Sequence, residues 1–403
     1  QVILIGNDAS GREIRSRNIL HHLCGTSAEK VEGLKHIWGR TDLIPLWVAD
    51  MDFATAPFVT DAIRKRCENE VLGYTGKPDS YYNAIINWVK QRYDLIVTKE
   101  VINFVPGIVP GIGMAMNCFT QKGDKVMIQP PVYHPFAWVT TRNERTLVIN
   151  PLKWENGMYR MDLDAFREQI KGCKLFILCN PHNPGGVVWT EAELRAIADI
   201  CYDEKVLVFS DEIHADLTLP PHTHRPFATV SEKARMNSVT FMSPSKAFNM
   251  PGLSASHALI FNEDLRKRFR IYMDAGELDM GHVFAFLSVE AAYSHGTEWL
   301  DQCLAYIQGN IDFVDEFLKK HAPKIKAIRP EASYLVWLDC RELELSQKDL
   351  NEFFVDKAHL ALNDGEMFGK EGIGFMRLNV ASPRCIIEKA MKQLADAYQL
   401  YIK

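Results

Sequence analysis

Apolar residues in the middle of the chain come in short continuous runs. "DKVMIQP" (124–130), "CKLFILCN" (173–180), "VLVFSDEI" (206–213), "SVTFMS" (238–243) and "SHALIFN" (256–262) are each about one strand long. Runs apolar on both faces predict strands covered on both sides. Between several of them the spacing is helical, as in "TEAELRAIADICYDEK" (190–205), where Thr190 stands at the N-cap position. Strands alternating with helices predict an α/β unit with a mostly parallel sheet between helical layers. In such sheets function collects at the C-terminal ends of strands, and the unusual stretches fall there. "CNPHNPGG" follows one strand, "SDEIH" ends another and "SPSK" ends a third.

Further on the pattern changes. "TEWLDQCLAYIQGNIDFVDEFLKKHA" (297–322) predicts one long helix, a spine between two domains. "ASYLVWLDC" (332–340) and "FMRLNVA" (375–381) predict strands of a smaller α+β unit, closed by a helix from about Pro383 to Tyr401. The expected division is an N-terminal segment (1–50) packing with the small domain, a large domain (51–290) and a small C-terminal domain (291–403). No repeat or low-complexity tract interrupts this order.

Composition narrows the function classes. The chain has 403 residues, 47% of them hydrophobic and 24% charged, with a net charge of -5 and both signs dispersed. No basic stripe points to nucleic acid. No apolar run reaches the roughly 20 residues of a membrane helix. The opening "QVILIGNDASGREIRSRN" lacks the pattern of a secretory signal. The nine cysteines form no CxxC pair and several lie in apolar runs. They read as buried thiols of a cytoplasmic protein, and the ligand spacings of a structural zinc are missing.

A few residues depart from the apolar pattern. Lys246, in "FMSPSKAFNMPGL" (241–253), sits where a buried strand ends, flanked by Ser243 and Ser245. A loop lysine is ordinarily solvated; in a partly dry site its amine becomes a nucleophile and a base. Asp211 and Glu212 end "VLVFSDEIH". A buried acid there needs a cation, and a protonated ring nitrogen would serve. His214 lies three residues on. Two Asn-Pro steps and Gly-Gly make "CNPHNPGG" a constrained turn that holds the Asn183 amide rigidly. "PGIVPGIGMAMNCF" (106–119) places glycines before a helix start, whose N–H groups suit phosphate. Tyr133 follows a strand and could stack on a flat ring. Arg377 interrupts "GFMRLNV", either as an edge arginine or as a buried fork for a carboxylate.

The order of these motifs resembles that of fold-type I pyridoxal-phosphate (PLP) enzymes in the class I/II aminotransferase superfamily. It runs glycine-rich loop, aromatic after Pro-Pro, N-P-x-N-P-x-G, D-x-x-H, S-x-S-K, then R-L-N, from about residue 40 to the end. "DLIPLWVADMDFATAPFV" (42–59), "GYTG" (73–76), "PGIVPGI" (106–112), "SDEIHADL" (210–217) and "SKAFNMPGL" (245–253) resemble the MalY/PatB type of cystathionine β-lyase, a C–S lyase branch. His214 stands where the aminotransferase core usually has tyrosine. Ser254 stands where many relatives have a phosphate-binding arginine.

The resemblance implies a large PLP-binding domain with a mostly parallel mixed sheet between helices, plus a smaller α+β domain. It implies that Lys246 bonds PLP covalently and moves the Cα proton, with Asp211 on the pyridine nitrogen. Asn183 and His214 would bind the ring's 3-oxygen, and Tyr133 would stack on the ring. Ile108 and Val109 N–H groups, Ser243 and Ser245 would hold the phosphate. Arg377 would clamp the substrate α-carboxylate, helped by the backbone near Ala49. Tyr74 would come from a neighbouring subunit, which implies a homodimer with shared sites. The implied reaction is β-elimination from a sulfur amino acid, giving thiol, pyruvate and ammonia. Transamination of an α-amino acid is the alternative, because both reactions use Lys246, Asp211 and Arg377. The branch-specific stretches favour the lyase.

Overall fold

A computed structural model describes residues 2–7, 13–17 and 29–402. Cys24 and part of the N-terminal segment expected at 1–50 lie outside them. The chain divides into two units. The larger comprises Thr55–Asn183 and Val187–Thr297; the smaller comprises Gln1–Ala54, Pro184–Gly186 and Glu298–Lys403.

The larger unit is built on a seven-stranded sheet. Its strands are β1 (Ile102–Val105), β2 (Lys125–Ile128), β3 (Thr146–Ile149), β4 (Cys173–Cys179), β5 (Leu207–Asp211), β6 (Ser238–Met242) and β7 (Ser256–Leu259). Their order across the sheet is β1-β7-β6-β5-β4-β2-β3. Pairing is parallel from β6 through β3, and β7 runs antiparallel to both of its neighbours. The five apolar runs named above are five of these strands. The other two, "INFV" and "TLVI", are the edges, and only the first is buried throughout. Only β3 shows the partial exposure expected of an edge strand, which weakens its apolar pattern. The reversal at β7 has a local cause. A short loop carrying Lys246, not a crossover helix, connects β6 to β7, and such a connection returns the chain antiparallel.

Helix α1 (Ile108–Phe119) packs on this sheet. Ile108, Ile112, Ala115 and Met116 join Val105, Val126, Ile177, Phe209 and Phe241 in one core. Each large side chain buried there stabilises the fold by about 1.5–3 kcal/mol. Helix α2 (Glu191–Asp203) begins as its sequence predicts. Thr190 Oγ1 accepts from the Glu193 amide at 3.2 Å, and the Glu193 carboxylate accepts from the Thr190 amide at 2.8 Å.

The smaller unit has a four-stranded antiparallel sheet of β8 (Lys326–Ile328), β9 (Leu335–Asp339), β10 (Asn363–Asp364) and β11 (Phe375–Asn379), in the order β8-β9-β11-β10. The long helix α3 (Thr297–His321) and the C-terminal helix α4 (Arg384–Tyr401) match their predicted ranges. Among the described residues no helix is long and apolar enough to cross a membrane.

Candidate active site

Three neighbouring parallel strands of the larger unit end at one level. Asp211, the last residue of β5, is in register with Cys179 of β4 and Phe241 of β6. The ladder continues one step beyond the strands. The Asn180 amide donates to the Asp211 carbonyl at 2.9 Å, and the Glu212 amide donates to the Phe241 carbonyl at 2.9 Å. "CNPHNPGG", "SDEIH" and "SPSK" therefore leave the sheet side by side.

Asp211 is 3% exposed and its Oδ1 accepts from the Ile213 amide at 3.1 Å. Burial, the largest effect, raises its carboxyl to about 7. The Ile213 N–H opposes this, the Glu212 charge adds to it, and the Lys246 charge lowers it. Such an acid favours a cation beside it. Glu212 is arranged differently. Its carboxylate takes bonds from Ser210 Oγ, the Phe227 amide and His224 Nε2, each at 2.8 Å, and so braces the loop that follows. His214 is buried at the head of the turn Ala215–Leu217.

Lys246 lies in a wrapped loop. The Phe248 amide bonds the Pro244 carbonyl and the Met250 amide bonds the Ser245 carbonyl, both at 2.9 Å. Ala247 and Phe248 are buried and Lys246 is half-buried. Ser243 Oγ donates to the Ala255 carbonyl at 2.8 Å, accepts from the Ser245 amide at 3.1 Å and lies 2.9 Å from Ser245 Oγ. A hydroxyl has one proton. With the Ser243 proton on a carbonyl, Ser243 holds the loop together, and the Ser245 proton meets Ser243 Oγ until an anion draws it away. Ser254 is exposed, with φ of +47°, just past the turn Pro251–Leu253.

The turn after β4 closes on a sulfur. The Asn183 amide donates to Cys179 Sγ at 3.3 Å, and the indole N–H of Trp189 donates to the Cys179 carbonyl at 2.8 Å. Burial first, and the Asp211 charge second, push the Cys179 thiol well above its ordinary value, so it stays a thiol. The Asn183 carbonyl in turn accepts from the Tyr133 amide at 3.0 Å, which ties Tyr133 to the same edge. Helix α1 starts at Gly107, whose φ of +123° few other residues adopt, and no side chain caps it. Its first turn offers the Ile108 and Val109 amides to an anion; Pro110 has none to offer. Tyr74 stands apart, 97% exposed, beside Leu72, Met280 and Val283 on a cleft of about 390 Å³.

In the smaller unit Arg377 is 3% exposed and sits in an interior strand, β11, so the edge-arginine alternative does not hold. Its Nη2 donates to the Trp47 carbonyl at 3.1 Å and to Asn363 Oδ1, and its guanidinium lies 4.8 Å from the Phe368 ring centroid. Ala49 belongs to a strap, Trp47–Asp52, that follows the end of β11. Asn379 Nδ2 donates to the Val48 and Asp50 carbonyls at 2.6 Å each, and Tyr334 Oη donates to the Ala49 carbonyl at 2.9 Å.

Asn363, Tyr334 and Asn379 were not singled out from the sequence for these tasks. Only Asn379 carried a signal, as a polar residue two places after Arg377 in an apolar strand.

The larger unit's residues fit pyridoxal phosphate. They present a buried acid for a ring nitrogen, an uncapped helix start and a hydroxyl for a phosphate, and an amine on a loop leaving the same sheet. Among the described residues no cluster of His, Cys, Asp or Glu could hold a metal ion.

Comparisons with known proteins agree. Residues 41–394 match the family model "Aminotransferase class I and II". Cystathionine beta-lyase PatB of Bacillus subtilis is 37% identical over 375 residues, 93% of this chain and 97% of that protein. The crystal structure of cystalysin from Treponema denticola, which contains pyridoxal 5'-phosphate, matches with a TM-score of 0.91 at 33% identity, over 94% of this chain and 98% of that one. The PLP-bound C–S lyase of Staphylococcus hominis matches with a TM-score of 0.85 at 34% identity, over 92% and 95%.

Proposed function

The chain belongs to the aminotransferase class I and II family, a PLP-dependent family, and from that premise we propose that it is a C–S lyase of the cystathionine β-lyase type. It eliminates the sulfur substituent from an S-substituted L-cysteine and leaves thiol, pyruvate and ammonia. The observation that carries this reading is the similarity to named C–S lyases over nine-tenths of the chain; the buried Asp211 at the ends of three strands supports the PLP chemistry that a lyase and a transaminase share.

Bound PLP supplies an electron sink for the charge that develops at Cα. The protein's residues supply the rest. Lys246 Nζ would hold the cofactor and would be the base for the Cα proton. Asp211, ionised, would pair with the ring nitrogen and hold its proton, an electrostatic contribution that is usually large. Asn183 and His214 would bind the ring's 3-oxygen, and Tyr133 would pack against the ring. The phosphate falls to the Ile108 and Val109 amides and to Ser245, with Ser243 supporting the loop. Arg377 and the backbone near Ala49 receive the α-carboxylate.

The protein acts as a homodimer, with Tyr74 contributed to the partner's site. Its near-complete exposure, among other exposed apolar residues, supports this. Free thiols at all eight cysteines among the described residues support a reducing, cytoplasmic setting.

The test is an assay of the PLP-loaded protein with L-cystathionine and other cysteine S-conjugates. Equimolar pyruvate and thiol are expected. Amino-group exchange with a 2-oxo acid and no pyruvate would establish the transaminase instead.

A further inference from the structure

Lys30 is 1% exposed, on the helix Glu29–Trp38 of the smaller unit. A buried ammonium persists only when it is paired. Lys30 Nζ lies 2.7 Å from Asp52 Oδ1 and 3.6 Å from Asp50 Oδ1. Both acids belong to the strap Trp47–Asp52, on either side of Met51 and just after Ala49. A second tether runs the other way, from the Trp47 indole N–H to the Lys30 carbonyl at 3.2 Å. The strap is thus fixed on two sides. Asn379, Tyr334 and the Ala381 carbonyl, which accepts from the Asp52 amide at 2.8 Å, hold its backbone to β11 and its surroundings. Lys30 holds its carboxylates.

We propose that Lys30 is a positioning residue for the substrate α-carboxylate, acting through Asp50 and Asp52 on the strap that carries Ala49. The proposal rests on the reading that Arg377 and this backbone receive the carboxylate. The ion pairs fix where the strap runs, and a carboxylate contact depends steeply on where its donors lie. A residue that only stabilised the fold would affect all ligands alike. This one discriminates for the carboxylate.

The experiment uses the holoenzyme with glycine and glycinamide, ligands that differ at the carboxylate and carry no sulfur to eliminate. Dissociation constants are measured by calorimetry, and steady-state constants with L-cystathionine. Lys30→Met alone takes the ammonium from the buried Asp52 and risks misfolding, so the variant is Lys30→Met with Asp52→Asn, alongside Lys30→Arg and Arg377→Ala. The double variant should weaken glycine at least tenfold relative to glycinamide and raise KM by a similar factor, with kcat within threefold. Lys30→Arg should keep the glycine preference within threefold of the parent. If the double variant weakens both ligands equally, or neither, while Arg377→Ala separates them, Lys30 is a fold-stabilising ion pair and the proposal falls alone. If Arg377→Ala also fails to separate them, the carboxylate reading falls and takes the proposal with it.

Discussion

The Asn180 amide donates to the Asp211 carbonyl at 2.9 Å, joining the turn after β4 to the last residue of β5. This bond carries the parallel ladder past the strands and sets the Asn183 turn beside the Asp211 carboxylate. The proposed chemistry starts from that juxtaposition and gives four expectations, besides the test of Lys30.

Lys246→Ala should abolish covalent attachment of pyridoxal phosphate. Borohydride reduction followed by mass spectrometry should find the cofactor on the peptide containing Lys246 in the parent and on no peptide in the variant. Activity should fall by about a thousandfold or more, because one group serves as both attachment point and base. Labelling at a different lysine in the parent would remove Lys246 from the mechanism.

Without cofactor, Asp211 should make stability depend on pH. Its folded-state value of about 7 lies above the ordinary 3.8, so the folded protein binds this proton more tightly than the unfolded chain. Stability therefore falls as pH rises from about 4 to about 7, by an amount on the order of a few kcal/mol. Asp211→Asn should flatten urea-unfolding free energies over that window. Adding pyridoxal phosphate should flatten them too, since it supplies a cation. Parallel pH curves for parent and variant would show that Asp211 is not the group responsible.

The two serines should separate. Ser245→Ala should weaken pyridoxal-phosphate binding several-fold, with little change in unfolding, because it removes a donor from the phosphate. Ser243→Ala should instead cost about 1–3 kcal/mol of stability, by stranding the Ser245 amide and the Ala255 carbonyl. Equilibrium dialysis and urea unfolding distinguish them, and a reversed pattern would move the phosphate to Ser243.

Gly111→Ala tests how closely α1 sits on the sheet. An added Cβ would lie 2.9 Å from Val105 Cγ2 and 3.2 Å from the Phe241 ring. Helix propensity favours alanine by about 1 kcal/mol, while overpacking costs about 1–3 kcal/mol. A net loss of stability is expected, visible as a lower Tm. A higher Tm would mean that the core yields.

Much of this was legible because the sequence repeats one rule. Five apolar runs marked five strands, and the polar residues ending three of them leave the sheet side by side at the candidate site. The edge strand β3 escaped notice because it is partly exposed and its pattern is weak. The carboxylate side was legible only in part. Arg377 could be an edge residue or a buried fork, and its spacing does not distinguish the two.

By itself, then, the sequence determined the order of strands and helices, the residues at the strand ends and, through their order, the family. Hydrophobic period and turn chemistry act over a few residues, so a linear pattern records them. Tertiary structure decided which partner each polar group takes. It set Ser243 against Ala255, turned Glu212 toward His224 while leaving Asp211 at the end of the central strand, buried Arg377 beside Asn363, and paired Lys30 with Asp52 across 22 positions of chain. A hydrogen bond or ion pair depends on separations of a few ångströms between residues that can be far apart in the chain, and only the folded packing sets those separations.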